Sequence, residues 1–388
     1  MSATARITAR GEDRLRAGHP WIYRSDVRDV TGGSPGAIVR VTGAKDKPLG
    51  HALFSDQSQI VLRVVSRGEA SVDGAFWRTR LEAAIRFRKA LELDATAFRL
   101  VHGEADLLPS LIVDRYADVL VVQALSQGMD RLLPTLVPIL VDLTGATGVL
   151  ARNDPKVRLL EGLEQKVEVL FGSVPPTVAV REGPIAYDVD PWHGQKTGLF
   201  LDQRENRDAA ARYARGRVLD CFSYNGGFGL RLAGVASEVD ALDSSADAVA
   251  RITHNAARNG LANVKAREAN VFDELRHLER ENARFDTIVL DPPAFAKNKA
   301  AVPKALAVYK EINLRALRLL NPGGYLVTCS CSYNVDEATF GQVLYEASVD
   351  SHTPVTVVEK RMQGRDHPVL LGVPETYYLK CFILRKLA

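Results

Sequence analysis

The stretch that most restricts what this chain can fold into is Val218-Leu219-Asp220-Cys221-Phe222-Ser223-Tyr224-Asn225-Gly226-Gly227-Phe228-Gly229. A brief apolar run carrying one acid leads into a glycine-rich turn, and residues 228–233 can then start a helix. Strand, glycine turn and helix in that order let backbone approach a nucleotide-like ligand. The spacing is not G-x-G-x-x-G, and glycines in such a turn can also serve backbone freedom alone. The next apolar run, Val239-Asp240-Ala241-Leu242, closes on Asp243, an acid placed to accept hydrogen bonds from ribose hydroxyls. A third run, Asp286-Thr287-Ile288-Val289-Leu290, ends on Asp291, where Pro292 and Pro293 stop the strand and stiffen its exit. A carboxylate at a rigid strand end faces the crevice where open α/β sheets bind ligands.

Around these runs, strands and helices alternate from residue 186 onward. Strands are expected at Val218, Val239, Val264 and Thr287, and helices from Gly226 and over 246–259 and 273–281. A helix over 304–320 is stopped by Asn321-Pro322-Gly323-Gly324. A strand over 325–329, a helix over 335–347 and strands near Val355 and Tyr378 complete the set. That alternation predicts a parallel, doubly wound α/β sheet. Residues 1–72 read instead as short strands and turns, with Arg6-Ile7-Thr8, Ile38-Val39-Arg40-Val41 and 60–65 strand-like. Residues 73–185 read as an α+β module. It has helices over 75–93 and, despite Pro134 and Pro138, over 129–143. Its strands are expected at 111–113, 119–122, 149–152, 178–180 and 185–187. The expected domains are therefore 1–72, 73–185 and 186–388.

Composition narrows the function classes. No apolar run is long enough to span a membrane, and no signal-like segment is read at the N-terminus. The four cysteines, two of them in Cys329-Ser330-Cys331, fit a reducing cytoplasm. The eight histidines are scattered, so no metal site is expected. The net charge of +3 is unevenly spread: residues 1–100 hold 17 Lys/Arg against 11 Asp/Glu. Arg10, Arg14, Arg16, Arg24 and Arg28 surround Trp21 and Tyr23. Interleaved guanidinium groups and aromatics suit RNA, because arginine binds phosphate and both groups stack on bases. A basic solvated surface over a packed Trp21 gives the same pattern.

Three further stretches join the glycine turn. They are His19-Pro20-Trp21, then Lys196-Thr197-Gly198-Leu199-Phe200-Leu201-Asp202-Gln203-Arg204, then Asp291-Pro292-Pro293 with Ser330-Cys331-Ser332. With these the chain resembles the class I S-adenosylmethionine-dependent methyltransferases, and more narrowly the bacterial 23S rRNA (cytosine-C5) methyltransferase family with an N-terminal PUA domain. The resemblance spans nearly the whole chain. It implies a Rossmann-like class I methyltransferase domain, preceded by a small β-rich PUA-like domain and an α+β central domain that widens the RNA-binding surface. It implies S-adenosyl-L-methionine as cofactor, held by Phe200, Gln203, Arg204, Asp220, Phe222, Ser223, Tyr224, Asn225, Gly226, Gly227, Asp243, Asn270 and Asp291. Asn270 stands where the family usually has an acid near the adenine, and an amide can still bond the adenine amino group. Arg14, Arg16, Trp21, Lys196 and Pro292 are expected on the RNA. The implied partner is 23S rRNA or a large ribosomal subunit precursor, and a homodimer is compatible with the chain.

C5 of an aromatic pyrimidine is a poor nucleophile. A thiolate adding at C6 makes C5 enamine-like, so the reaction needs a cysteine, and an acid to hold N3 and the amino group. Cys331 matches the family's nucleophile and Asp291 its base-binding acid. Cys331 is expected in a polar Ser/Cys/Ser loop where a thiol is reachable. Strand alternation points Cys329 to the same side, so geometry leaves both open, and the flanking serines favour Cys331. Pro293 follows Pro292 where another group of RNA cytosine-5 methyltransferases has a second cysteine. Two other functions fit parts of the pattern: guanine-N7 methylation, which needs no thiol, and a non-catalytic RNA-binding assembly factor, which has no use for Cys331.

Overall fold

The computed structural model describes residues 3–387. Strands β1 (Thr4–Ile7), β2 (Trp21–Tyr23), β3 (Val27–Thr31), β4 (Ile38–Thr42), β5 (Pro48–Phe54) and β6 (Ile60–Arg67) form one sheet in the order β2-β6-β5-β4-β1-β3. The strands-and-turns reading missed helix α1 (Ala9–Arg16), which carries Arg10, Arg14 and Arg16. The Thr8 hydroxyl accepts from Gly11 N–H and caps it. Leu15 is its one buried large apolar residue, so no helical period is visible in the sequence.

Helices α2 (Gly74–Ala90) and α3 (Gln127–Thr144) accompany a second sheet of β7 (Ala97–His102), β8 (Leu111–Tyr116), β9 (Val119–Ala124), β10 (Gly148–Asn153) and β11 (Lys166–Gly172). Its order is β11-β10-β9-β8-β7. The sequence reading missed β7 and β11. Asp73 and Ser126 cap the two helices, and α3 runs through both prolines. A two-stranded ribbon, β12 (Val178–Glu182) with β13 (Ile185–Val189), follows.

The third sheet positions the candidate site. Its members in chain order are α4 (Arg204–Ala211), β14 (Arg217–Cys221), α5 (Gly227–Ala233), β15 (Glu238–Asp243), α6 (Ala246–Arg258), β16 (Val264–Glu268), α7 (Val271–Arg280), β17 (Phe285–Leu290), α8 (Val302–Leu319), β18 (Leu320–Ser330), α9 (Glu337–Asp350), β19 (Val355–Arg361) and β20 (Lys380–Lys386). Strand order is β16-β15-β14-β17-β18-β20-β19. The pairs from β16 to β18 are parallel, but β20 runs antiparallel to both neighbours. The expectation of a wholly parallel sheet therefore fails at β20. No α-helix lies between β19 and β20 to carry a parallel crossover; the connection includes Arg365–Thr376 of a separate compact unit, and β20 enters the sheet reversed. The Asn321-Pro322-Gly323-Gly324 stop falls at the start of β18, where the register with β17 shifts.

Central strands of this sheet are buried on both faces, which is why β17 ends in the unbroken apolar run Ile288-Val289-Leu290. One face packs Leu219, Ile288 and Leu326 against Leu275, Tyr309, Ile312 and Phe340. The other packs Val239, Val289, Val327 and Cys329 against Ala209, Phe228 and Leu232. Contacts divide the chain into two compact units. One runs up to Val180 with Asp188–Leu199 and Arg365–Thr376, and the other comprises Arg181–Tyr187, Phe200–Gly364 and the chain from Tyr377. The Lys196–Arg204 motif is thus split, with Lys196, Thr197, Gly198 and Leu199 in the first unit. Among the described residues no helix is long and apolar enough to cross a membrane.

Candidate active site

The site lies where β14, β15, β17 and β18 end side by side. After β14 the backbone turns through three left-handed residues, Phe222 (φ 64°), Tyr224 (φ 50°) and Gly226 (φ 80°). Left-handed backbone is costly for Phe and Tyr, so the surrounding bonds must hold it. Tyr224 N–H donates to Asp243 Oδ2 at 2.9 Å, and Ser223 N–H to the Leu242 carbonyl at 3.0 Å, which ties the turn to the end of β15. Ser223 Oγ donates back to the Asp220 carbonyl. Asp220 is buried, and its Oδ2 accepts from Gly229 N–H at 2.8 Å in the first turn of α5. Burial is the dominant influence on it and pushes its pKa up to about 7, against the pull of the Gly229 and Ser223 bonds. Arg251 donates to Asn225 Oδ1 and lies over the Tyr224 ring.

Asp243 also accepts from Ser245 N–H. Its carboxylate retains acceptor capacity for ribose hydroxyls. Phe200 stands edge-on to Tyr224, with ring centroids 5.2 Å apart. Phe222, Phe272 and Phe295 form an aromatic row beside the turn. Asn270 is exposed and serves as the cap of α7, its Oδ1 accepting from Phe272 and Asp273 N–H.

The acid and the thiol expected to do the chemistry share this end of the sheet. Gln203 Nε2 donates to Asp291 Oδ1 at 2.8 Å. Asn206 fixes that amide by donating to Gln203 Oε1 at 2.7 Å, and Arg361 Nε donates to Asn206 Oδ1 at 3.0 Å. Cys331 Sγ lies 3.7 Å from the Pro292 carbonyl. Cys331 is half-buried, whereas Cys329 has no exposure and pairs across the strands with Cys381. Burial pushes the Cys329 thiol well above its ordinary range, where it is inert. The flanking loop is not polar and open as expected: Ser330 and Ser332 are buried. Both are bonded to the Tyr309 hydroxyl, at 3.1 and 3.0 Å.

Three further residues matter that motif reading did not single out. Arg207, one helical turn past Gln203, is buried, donates to both oxygens of Glu182 and to the Phe200 carbonyl, and packs behind Gly227. Asn206 sits beside it. Both extend the polar run Gln203-Arg204-Glu205-Asn206-Arg207, the signal that could have found them. Lys380, the first residue of β20 and directly before the apolar residues 381–384, is buried and donates to the Ser332 and Tyr378 carbonyls.

The remaining expected residues lie elsewhere. Arg204 is buried at the start of α4. Lys196 is exposed and left-handed (φ 54°), and its neighbour Thr197 donates to Asp114 Oδ2 at 2.6 Å within the first unit. Trp21 is half-buried with its indole N–H on Glu104 at 2.9 Å. Arg14 lies over the Tyr23 ring and 3.7 Å from Asp26. Arg16 pairs with Glu12 and Asp13. Much of the arginine cluster thus has intramolecular partners. Among the described residues no cluster of His, Cys, Asp and Glu could hold a metal ion.

Comparison with known proteins gives this geometry its family. Residues 5–67 match the PUA-like domain, and residues 98–380 match the S-adenosylmethionine-dependent methyltransferase. A protein of Tolumonas auensis named ribosomal RNA large subunit methyltransferase I is 40% identical, over 99% of this chain and all of its own. The protein of that name from Vibrio cholerae is 39% identical over 97% of this chain and 98% of its own. The solved structure of SMU.776 complexed with SAH superposes with a TM-score of 0.85 at 22% identity, covering 99% of this chain and all of that one, which shows a shared fold. A Cβ at Gly227 would meet Arg207, so glycine is required there by packing, while Asp243 at the end of β15 keeps acceptor capacity that fits the family's cofactor. The chain belongs to the S-adenosylmethionine-dependent methyltransferase family with a PUA-like domain, the family of ribosomal RNA large subunit methyltransferase I.

Proposed function

We propose that this chain methylates C5 of a cytidine in 23S rRNA, in the cytoplasm, through a transient covalent bond between Cys331 and C6 of the base. The observation that carries the reading is the placement of a half-buried thiol, Cys331, against the Pro292 carbonyl, next to an acid whose orientation is fixed by Gln203 and Asn206. S-adenosylmethionine, when bound, supplies an electrophilic methyl carbon. Asp291 holds the ring, a carboxylate oxygen accepting from the exocyclic amino group. The Cys331 thiolate adds to C6, and the displaced C5=C6 electron pair makes C5 the nucleophile that takes the methyl. A base removes the C5 proton, the C5=C6 bond re-forms, and the Cys331 thiolate leaves. Gln203 keeps Asp291 from rotating, so little ordering remains when the base arrives.

The N-terminal region, about residues 1–72, and the module of about 73–185 are assigned to RNA capture. The names of the full-length relatives support rRNA as the substrate class, and the PUA-like match supports a binding role for the first region. Chemistry is assigned to the remainder, about 186–388. Nucleoside mass spectrometry of 23S rRNA from a deletion strain tests the reading. Loss of one 5-methylcytidine, restored by the wild-type gene, is expected. Loss of a methylguanosine with 5-methylcytidine unchanged would refute it.

A further inference from the structure

We infer that Lys380 is a positioning residue for the reaction: a buried ammonium fixed beneath the Ser330-Cys331-Ser332 turn that favours the Cys331 thiolate and locks the turn. The inference rests on the reading of Cys331 as the nucleophile. Lys380 opens β20 and pairs in register with Ser330 of β18. Its side chain has almost no exposure, and its Nζ donates to the Ser332 carbonyl at 2.7 Å and the Tyr378 carbonyl at 2.9 Å. Ser332 is the residue directly after Cys331, so the ammonium grips the turn that carries the thiol.

A buried ammonium is costly, and proteins normally pair it with a carboxylate. Among the described residues no carboxylate lies within ion-pair distance of Lys380. The charged groups that it faces are Cys331 and Asp336. Asp336 is committed to capping α9, where it accepts from Thr339 N–H. The rest of the turn is held by neutral groups: Tyr309 bonds both serines, and Ala296 N–H donates to Ser332 Oγ at 3.1 Å. A structural plug at position 380 would need no charge, since Cys381, Phe382, Ile383 and Leu384 beside it are buried and largely apolar. Asp291 directly precedes Pro292, whose carbonyl lies 3.7 Å from Cys331 Sγ, so its negative charge works against a thiolate there. The ammonium offsets it. Burial brings the Lys380 pKa down to about 8, so it remains mainly protonated at neutral pH. In this role Lys380 keeps its protons, and the thiol proton departs to solvent.

The test is the pH dependence of Cys331 alkylation by iodoacetamide, followed by peptide mass spectrometry on the full chain without RNA. Wild-type protein should show a midpoint below the roughly 8.5 of a free thiol. Lys380→Met should raise it by about one unit or more, which lowers alkylation about tenfold at pH 7, and Lys380→Arg should keep the wild-type midpoint. A midpoint unchanged in a folded Lys380→Met protein overturns the inference. If that variant does not fold, a wild-type midpoint at or above 8.5 overturns it alone. Alkylation needs no methyl transfer, so this outcome is separate from the nucleophile reading, which falls if Cys331→Ala still methylates RNA.

Discussion

Replacing Gly227 by alanine should damage the cofactor site through one contact. An added Cβ would stand 2.6 Å from Arg207 Nε, 2.7 Å from Cζ and 2.8 Å from Nη2. A long side chain could ordinarily swing away, but this guanidinium is held. Its Nη1 donates to both Glu182 oxygens at 2.8 and 2.9 Å, and its Nη2 to the Phe200 carbonyl at 2.9 Å. Overpacking of this kind costs about 1–3 kcal/mol, and breaking a buried ion pair about 3–5 kcal/mol. Partial yielding of the pair places the expected loss at about 2–4 kcal/mol. Displacing Arg207 also releases the Phe200 carbonyl, and with it the ring against Tyr224, so S-adenosylmethionine should bind roughly tenfold or more weakly, each 1.4 kcal/mol being tenfold. Gly234→Ala is the control, because its Cβ would meet nothing within 4 Å and its φ of −66° suits any residue. It should be neutral or stabilising by up to about 1 kcal/mol. Urea denaturation and titration calorimetry measure both quantities. Gly227→Ala behaving like Gly234→Ala in stability and in cofactor affinity would refute the reasoning.

Three other expectations follow from the same contacts. Asp220 binds a proton more tightly folded than unfolded, so this group makes stability fall as pH rises from roughly 4 to 7; Asp220→Asn should flatten that part of the curve in denaturation runs, and an unchanged slope would count against the buried acid. Gln203→Leu leaves Asp291 without its 2.8 Å donor and should cut kcat roughly 10–100-fold with folding intact, while Asp291→Asn should abolish turnover; single-turnover methylation assays read both. Arg16→Glu with Arg28→Glu, both at exposed positions, should weaken RNA binding and flatten its salt dependence, whereas equal affinity and slope would move the RNA footprint off the N-terminal region.

The alternation of strands and helices after residue 186 was legible because parallel strands are apolar on both faces and stop at glycine, proline or acid. Asp243 and Asp291 could be placed at strand ends for that reason, and both lie at the end of the sheet that also carries Asp220, Gln203 and Cys331. What stayed hidden depends on partners distant in sequence. The reversal of β20 follows from a connection without a helix, which periodicity does not register. Helix α1 escaped because its buried face has only Leu15, Gly11 and Glu12 to mark it. Cys329 and Cys331 are indistinguishable by strand alternation; the flanking serines favour Cys331, and the packing of Cys329 against Cys381 sets the two apart by burial. Lys380 opens a strand that also carries Arg385 and Lys386, so its charge does not stand out, and its contact with the Ser332 carbonyl 48 residues away is invisible until β18 and β20 are paired.

The most direct test of the proposed chemistry is to trap the covalent step. An RNA carrying 5-fluorocytidine at the target position blocks loss of the C5 substituent, so the enzyme–RNA bond should persist in the presence of S-adenosylmethionine. Peptide mass spectrometry should find the adduct on Cys331, and Cys331→Ala should give none while Cys329→Ala still does. An adduct on Cys329 would overturn the residue assignment, and the absence of any adduct with an active enzyme would contradict the covalent C5 mechanism itself.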